Sequence, residues 1–280
     1  MTRRVGIEVF YWLDAWSDDQ SSVFGKAAEA GYDGVEISFV AGVPIDIARV
    51  AAAAVNAGVD IVCSTGLTPH MDISSPDPDV RDAGRRHLHQ SLNYAAELGS
   101  PLLGGVTYAS WMGFPADDLG ERRKRSAEVL GELGDVAEDL GLSICLEVLN
   151  RFEGYMFNTV SGCLAFIDSI GHSSIKVELD TFHMNMEEDD LAAAVLLAGA
   201  KLGHVQVAAN NRRAPQFGHI DWPPFRTALD SVGYQGWVVF ETFPNAAVET
   251  GRTTYAWRDL AVDLDGEAAD AARYIREYIA

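Results

Sequence analysis

Cysteine is scarce in this chain, and the three that occur, Cys63, Cys145 and Cys163, are odd in number and far apart. That spacing suits neither a disulfide framework nor a CxxC zinc or redox motif, so all three read as small buried hydrophobes. Basic residues are also in short supply: 21 Lys and Arg stand against 41 Asp and Glu, for a formal net charge of −20. A field of that sign opposes polyanions, which argues against general nucleic-acid binding and against docking on an anionic membrane surface. No run approaches the ~20 apolar residues of a membrane span, and Met1 to Val9 lacks the apolar stretch of a signal peptide, so a cytoplasmic protein is expected. Low-complexity tracts and linkers are missing too. With 48% hydrophobic and 22% charged residues, the chain has the composition of a folded domain with a large core.

What the sequence does have is alternation. Short apolar, β-rich runs begin near Val5, Gly34, Ile61, Leu102, Ser143, Ile175, His204 and Trp237, with helix-like amphipathic segments between them. Arg85 to Leu98 and Glu121 to Leu140 show the helical pattern well, and each stops at a glycine, Gly99 and Gly141; Gly31 follows the first helix in the same way. Asp46 to Val59 reads as the second helix, and the segment from Gly251 onward as the last helix with its flanking loop. Strict β-then-α order implies a parallel sheet, and eight units close into a (β/α)8 barrel, a TIM barrel, as one domain over residues 1–280. The alternative is an open doubly wound sheet, which would need a GxGxxG turn after the first strand for a dinucleotide; none is present.

The last four strand candidates read SICLE, IKVELD, HVQV and WVVFE. Three finish on a carboxylate, and in a parallel barrel the C-terminal strand ends form one rim, so Glu147, Asp180 and Glu241 should converge there with Gln206 close by. Clustered carboxylates raise one another's pKa unless something offsets them, and a hard divalent cation with oxygen ligands does so. Taken singly, each acid reads equally well as a helix N-cap, and Gln206 as a core-edge amide; together they point to a metal. His183, three residues past Asp180, is placed for substrate contact, and His204 one layer deeper on the same strand. Tyr11, Trp12, Trp16, Trp111 and Phe114 are candidates for the wall of a ligand pocket, or else interface or core residues. Glu8 lies beside them, and Glu36 is a weaker candidate at the end of the second strand.

These residues sit in longer stretches that resemble the ketose 3-epimerases of the tagatose, allulose and ribulose type, among the xylose-isomerase-like barrels: LEVLNRFE (146–153), LDTFHMNMEE (179–188), IDW (220–222), GYQG (233–236), SSPD (74–77) and LGGVTY (103–108). The resemblance covers most of the chain. It implies a metal-dependent sugar isomerase or epimerase with Glu147, Asp180, Gln206 and Glu241 as metal ligands and Glu147 and Glu241 as the catalytic pair. Glu153, His183 and Arg212 fall on substrate-contacting positions. The implied cofactor is a divalent metal, Mn2+ first, with Mg2+ or Co2+ as alternatives. The implied reaction is 3-epimerisation of a free ketose through a cis-enediolate, and the implied partners are a small-molecule sugar and further copies of the chain in a dimer or tetramer. Two positions depart from the pattern. Gln206 stands where the epimerases usually have His and is similar to the hydroxypyruvate isomerases, and Ala209 (or Ala208) stands where they have Glu. These departures leave open an aldose–ketose or hydroxypyruvate-type isomerase, or a lyase subunit like the C-glycoside deglycosidases that would cleave a 3-keto glycoside with a small partner chain. An apurinic endonuclease would need more metal-binding histidines and a basic face; a non-catalytic sugar-binding protein would bind without exchanging solvent deuterium.

Overall fold

In the computed structural model, which describes residues 3–115 and 117–280, each strand begins within two residues of its expected start. In chain order the elements are β1 (Arg4–Glu8), α1 (Phe24–Glu29), β2 (Gly34–Phe39), α2 (Ile47–Ala57), β3 (Asp60–Leu67), α3 (Pro78–Glu97), β4 (Leu102–Ser110), α4 (Leu119–Asp139), β5 (Ser143–Glu147) and α5 (Val160–Ile170). They continue with β6 (Ile175–Asp180), α6 (Thr181–Glu187), α7 (Leu191–Ala198), β7 (Leu202–Val207), α8 (Trp222–Ser231), β8 (Trp237–Phe240), α9 (Glu249–Thr253) and α10 (Leu264–Tyr278). The strands pair in parallel in the order β1 to β8, and β8 returns to β1, which closes the barrel and rules out the open sheet. Among the described residues no helix is long and apolar enough to cross a membrane.

Part of the acid excess is local chemistry at helix starts. Asp46, Asp77, Asp118, Asp190 and Asp263 each accept a hydrogen bond from a backbone N–H in the first turn of α2, α3, α4, α7 and α10, satisfying a donor the helix leaves orphaned. The Asp77 cap with Pro78 in the first turn explains why α3 starts earlier than the amphipathic run from Arg85 suggests.

Inward-facing residues repeat every second position along each strand. Toward the N-terminal end Val62, Leu102, Cys145, Trp237 and Val239 form a separate buried apolar cluster; the larger cluster includes the outward faces of the strands, such as Val5, Val35, Ile144 and Val205, and helix residues such as Leu88, Leu130 and Phe225. All three cysteines are buried and free, as expected. The Gly104-Gly105 pair makes room for a buried carboxyl group: a Cβ on Gly104 would lie 2.4 Å from Glu178 Oε2, and the Gly105 N–H donates to that same oxygen at 2.7 Å. Gly105 has φ +93°, a conformation that costs glycine little.

Candidate active site

The four strand-end residues meet at the C-terminal rim. Glu147 closes β5 and Asp180 closes β6, Gln206 lies opposite Asp180 in the β6–β7 register, and Glu241 follows β8, tied back by its N–H to Val207 O at 3.3 Å. Asp180 fits the capping reading and the site reading together. Its Oδ1 caps α6 by accepting from Phe182 N at 2.8 Å, while its Oδ2 is buried with no hydrogen-bond partner. Gln206 is divided likewise: its Nε2 donates to Glu36 Oε1 at 2.9 Å and approaches Glu241 Oε1 at 3.5 Å, and its Oε1 is left unpartnered. Buried polar atoms without partners are rare in folded proteins, so two of them beside two further carboxylates form a place that a cation with oxygen ligands fits.

His183, on α6, closes the cluster from above, with Nε2 3.3 Å from Glu147 Oε1 and 3.5 Å from Asp180 Oδ2. The ligand atoms of Glu147, Asp180 and His183 lie within 4.8 Å of one another, so by distance alone the imidazole could be a ligand. Its other nitrogen argues for a different role. Nδ1 is approached by two donors of Asn150, the side-chain Nδ2 at 2.6 Å and the backbone N–H at 3.3 Å. Asn150 presents that nitrogen because its Oδ1 is already taken by Phe152 N at 2.8 Å. With Nδ1 accepting, Nε2–H faces the cluster as a donor.

Arg212 lies on the opposite side. It adopts φ 59°, the left-handed region that non-glycine residues seldom occupy, and its guanidinium rests over the rings of Phe182 and Phe243 at 4.6 and 5.0 Å. From there Nη2 reaches Glu241 Oε2 at 3.1 Å and Nη1 reaches Glu153 Oε1 at 3.5 Å. Glu153 also accepts from Asn150 Nδ2 at 3.0 Å and from Trp111 Nε1 at 3.3 Å. Strain held by such a network is a common mark of a working site.

The electrostatics divide these acids into two kinds. Burial pushes Glu147 up to about 8, with the neighbouring Glu153 charge adding to the rise and Arg212 opposing it. Burial likewise lifts Glu241 and Asp180 to about 7 each, opposed by Arg212 and His183 respectively. Glu153 is buried as well, but Arg212 above all, with His183, Asn150 and Trp111, holds it below the usual carboxylate range. One acid is kept ionised and three are poised near neutrality, a separation typical of sites that move protons.

All seven expected site residues, Glu147, Glu153, Asp180, His183, Gln206, Arg212 and Glu241, thus come together, and all except Asp180 line one cavity of about 280 Å3. That volume is near the small end of the range for ligand pockets, roughly 300–1,000 Å3. Trp16 and Trp111 wall it as expected, joined by Phe39 and Leu67. Three aromatics do not. Phe114 is 57% exposed and outside the cavity. Tyr11 turns away to donate to Leu264 O, and the Trp12 indole to donate to Asp265, so both anchor α10. Asn150 and Glu36 are the residues sequence reasoning underweighted. Asn150 sits inside the LEVLNRFE stretch without a chemistry of its own to flag it, and Glu36 meets its partners only once the barrel closes.

The family model described as xylose isomerase-like TIM barrel matches residues 24–278. The chain belongs to that family. Within it, this barrel is 35% identical to a D-psicose 3-epimerase of Ruminiclostridium cellulolyticum, with 97% of each chain covered, and 33% identical to an L-ribulose 3-epimerase of Methylomonas sp., with 94% of each covered. The solved D-allulose 3-epimerase from Methylomonas sp. in complex with D-allulose superposes on this family member with a TM-score of 0.93, at 32% identity and over 99% of this chain and 97% of that one.

Proposed function

We propose that the protein is a divalent-metal-dependent ketose 3-epimerase, with Glu147, Asp180, Gln206 and Glu241 holding the metal, Mn2+ in the first instance. The observation that carries this is the pair of unpartnered buried oxygens, Asp180 Oδ2 and Gln206 Oε1, set between two cavity-lining carboxylates on β5 and just past β8. When bound, the cation supplies Lewis-acid stabilisation of negative charge on adjacent sugar oxygens. Everything else is done by the chain. Glu147 and Glu241 reach the cavity from different strands, and each has a proton affinity near neutrality, as a residue that must both take and return a proton requires. One removes the proton from the carbon beside the ketone; the other delivers a proton to the opposite face of the enediolate, and the carbon is inverted. His183 Nε2–H and Arg212 are placed to donate to the developing oxyanion. Ionised Glu153 accepts from a hydroxyl farther along the sugar, and the aromatic wall packs the rest.

The test is a panel of ketoses offered to protein stripped with chelator and then resupplied with Mn2+, read by product and by deuterium incorporated from solvent at the inverted carbon. Activity lost on chelation and restored by Mn2+, with deuterium in the product, is expected. Full turnover in excess chelator, with no metal in the protein, would sink the proposal.

A further inference from the structure

Beneath the cavity, Glu36 reaches across the lumen from β2 to β7. It is fully buried, with Oε2 2.8 Å from His204 Nε2 and Oε1 2.9 Å from Gln206 Nε2. It does not line the cavity and has no part in the chemistry above. Its importance comes from the ambiguity of its neighbour. The two ends of the Gln206 amide differ little in shape and completely in function: the oxygen can face a cation, and the NH2 repels one.

Two carboxylates accept from that NH2, which carries a hydrogen for each. Glu241 draws it toward the rim, where Nε2 already lies 3.5 Å from Glu241 Oε1. Glu36 draws it down, at the shorter distance of 2.9 Å. Turning the amide over would set its oxygen against the Glu36 oxygen, two acceptors at hydrogen-bonding distance, and would aim the NH2 at the place where the cation belongs. As the side chain stands, Nε2 donates to Glu36 and, at longer range, to Glu241, and Oε1 is the free end. His204 holds Glu36 in turn by its other oxygen, so the carboxylate cannot swing away.

We propose that Glu36 is a positioning residue: by accepting the Gln206 Nε2–H it leaves Gln206 Oε1 as the free end of the amide, and so makes a neutral amide a usable metal ligand. This rests on Gln206 being a ligand. The arrangement has the logic by which a carboxylate behind a metal-binding imidazole fixes its orientation, transferred to an amide whose two ends need telling apart.

The experiment titrates metal-free protein with Mn2+ and reads the dissociation constant from the free-ion resonance signal, without turnover. Glu36→Gln keeps the shape but can face Gln206 with either amide end, so it should weaken Mn2+ binding by roughly 10–100-fold. Glu36→Asp, which keeps two acceptor oxygens on a shorter stem, should lose less, and serves if Glu36→Gln melts too low to titrate. The same change made together with Gln206→Leu should cost no further affinity, because the group Glu36 acts through is gone. A merely structural Glu36 would weaken binding equally in both backgrounds, and that additive result, or wild-type affinity in Glu36→Gln, overturns the inference. Should Gln206→Leu alone bind Mn2+ as wild type does, it is the ligand assignment that fails, and the role of Glu36 falls with it.

Discussion

The two halves of the barrel rim have taken different work. Strands β5 to β8 deliver Glu147, Asp180, Gln206 and Glu241, and the loops and helix after β5, β6 and β7 add Glu153, His183 and Arg212. The cavity residues from β2 and β3 and from the loops after β1 and β4 include Phe39, Leu67, Trp16 and Trp111. The first half is not free of acids: Glu8 and Glu36 stand on β1 and β2, yet both are sealed below the cavity, as is Glu178 on β6. A carboxylate near the end of a barrel strand is therefore not enough to mark a site. What separates Glu147 and Glu241 from Glu8, Glu36 and Glu178 is that the first two open into the cavity; Asp180, which does not line it, belongs with them through its partnerless Oδ2, 3.5 Å from His183 Nε2.

The sharpest way to break that comparison is to remove the proton-accepting ability of the rim acids alone. Glu147→Gln and Glu241→Gln keep size and one oxygen donor, and each should lower turnover at saturating Mn2+ by about 10²–10⁴-fold, the usual loss for a positioned general base. Near-wild-type kcat in either would remove that residue from the pair.

Next comes pH. Asp180 and Glu241 stand at about 7 and Glu147 at about 8, raised first by burial, above ordinary values of 3.8 and 4.5. An acid whose folded-state pKa is raised stabilises the fold fully below its unfolded pKa and loses that contribution as pH climbs through the folded one. The metal-free protein should therefore melt at progressively lower temperature from about pH 5 to about pH 8. Mn2+ needs the ionised acids, so its affinity should rise over the same window and its presence should raise the melting temperature most at the alkaline end. A metal-free melting temperature that climbs with pH across this range would contradict the assignment.

On the wall, Trp16→Ala should raise KM roughly tenfold with kcat little changed, because it removes packing that substrate and transition state share alike. A fall in kcat without a change in KM would move Trp16 into the chemistry. Smallest of all should be Glu178→Gln. Burial, with Glu147 and Glu36 nearby, pushes Glu178 well above the usual carboxylate range, and an amide oxygen can still accept from Gly105 N. Turnover within about threefold of wild type is expected; a loss as large as that of Glu147→Gln would erase the distinction between open and sealed acids.

Much of this was legible before the structure, for a physical reason: the fold repeats one local unit, announced by an apolar strand and, in α2, α3, α4, α5 and α7, by a capped helix and a glycine stop. The site was legible to the extent that its residues sit at strand ends, where topology alone forces convergence. Glu36 shows where that stops. It lies 168 and 170 residues from His204 and Gln206, and no periodicity records a contact made across a closed barrel. Asn150 shows a second limit, because which ring nitrogen of His183 accepts depends on which way one amide points, and that is set by Phe152 N. The aromatic wall shows a third. Trp12 and Phe114 have the same composition signal as Trp16 and Trp111, and only packing against α10, or exposure to solvent, tells them apart.

The central claim is that two carboxylates serve opposite faces of one carbon, and one measurement addresses it directly. Glu147→Gln and Glu241→Gln, each loaded with Mn2+, are incubated with each of the two epimers separately in deuterated water, and exchange at the reacting carbon is followed by proton resonance. The account predicts that each variant exchanges the proton of one epimer only, the two variants choosing opposite epimers, while neither completes inversion. Exchange of the same epimer by both variants, or of both epimers by either one, would contradict it.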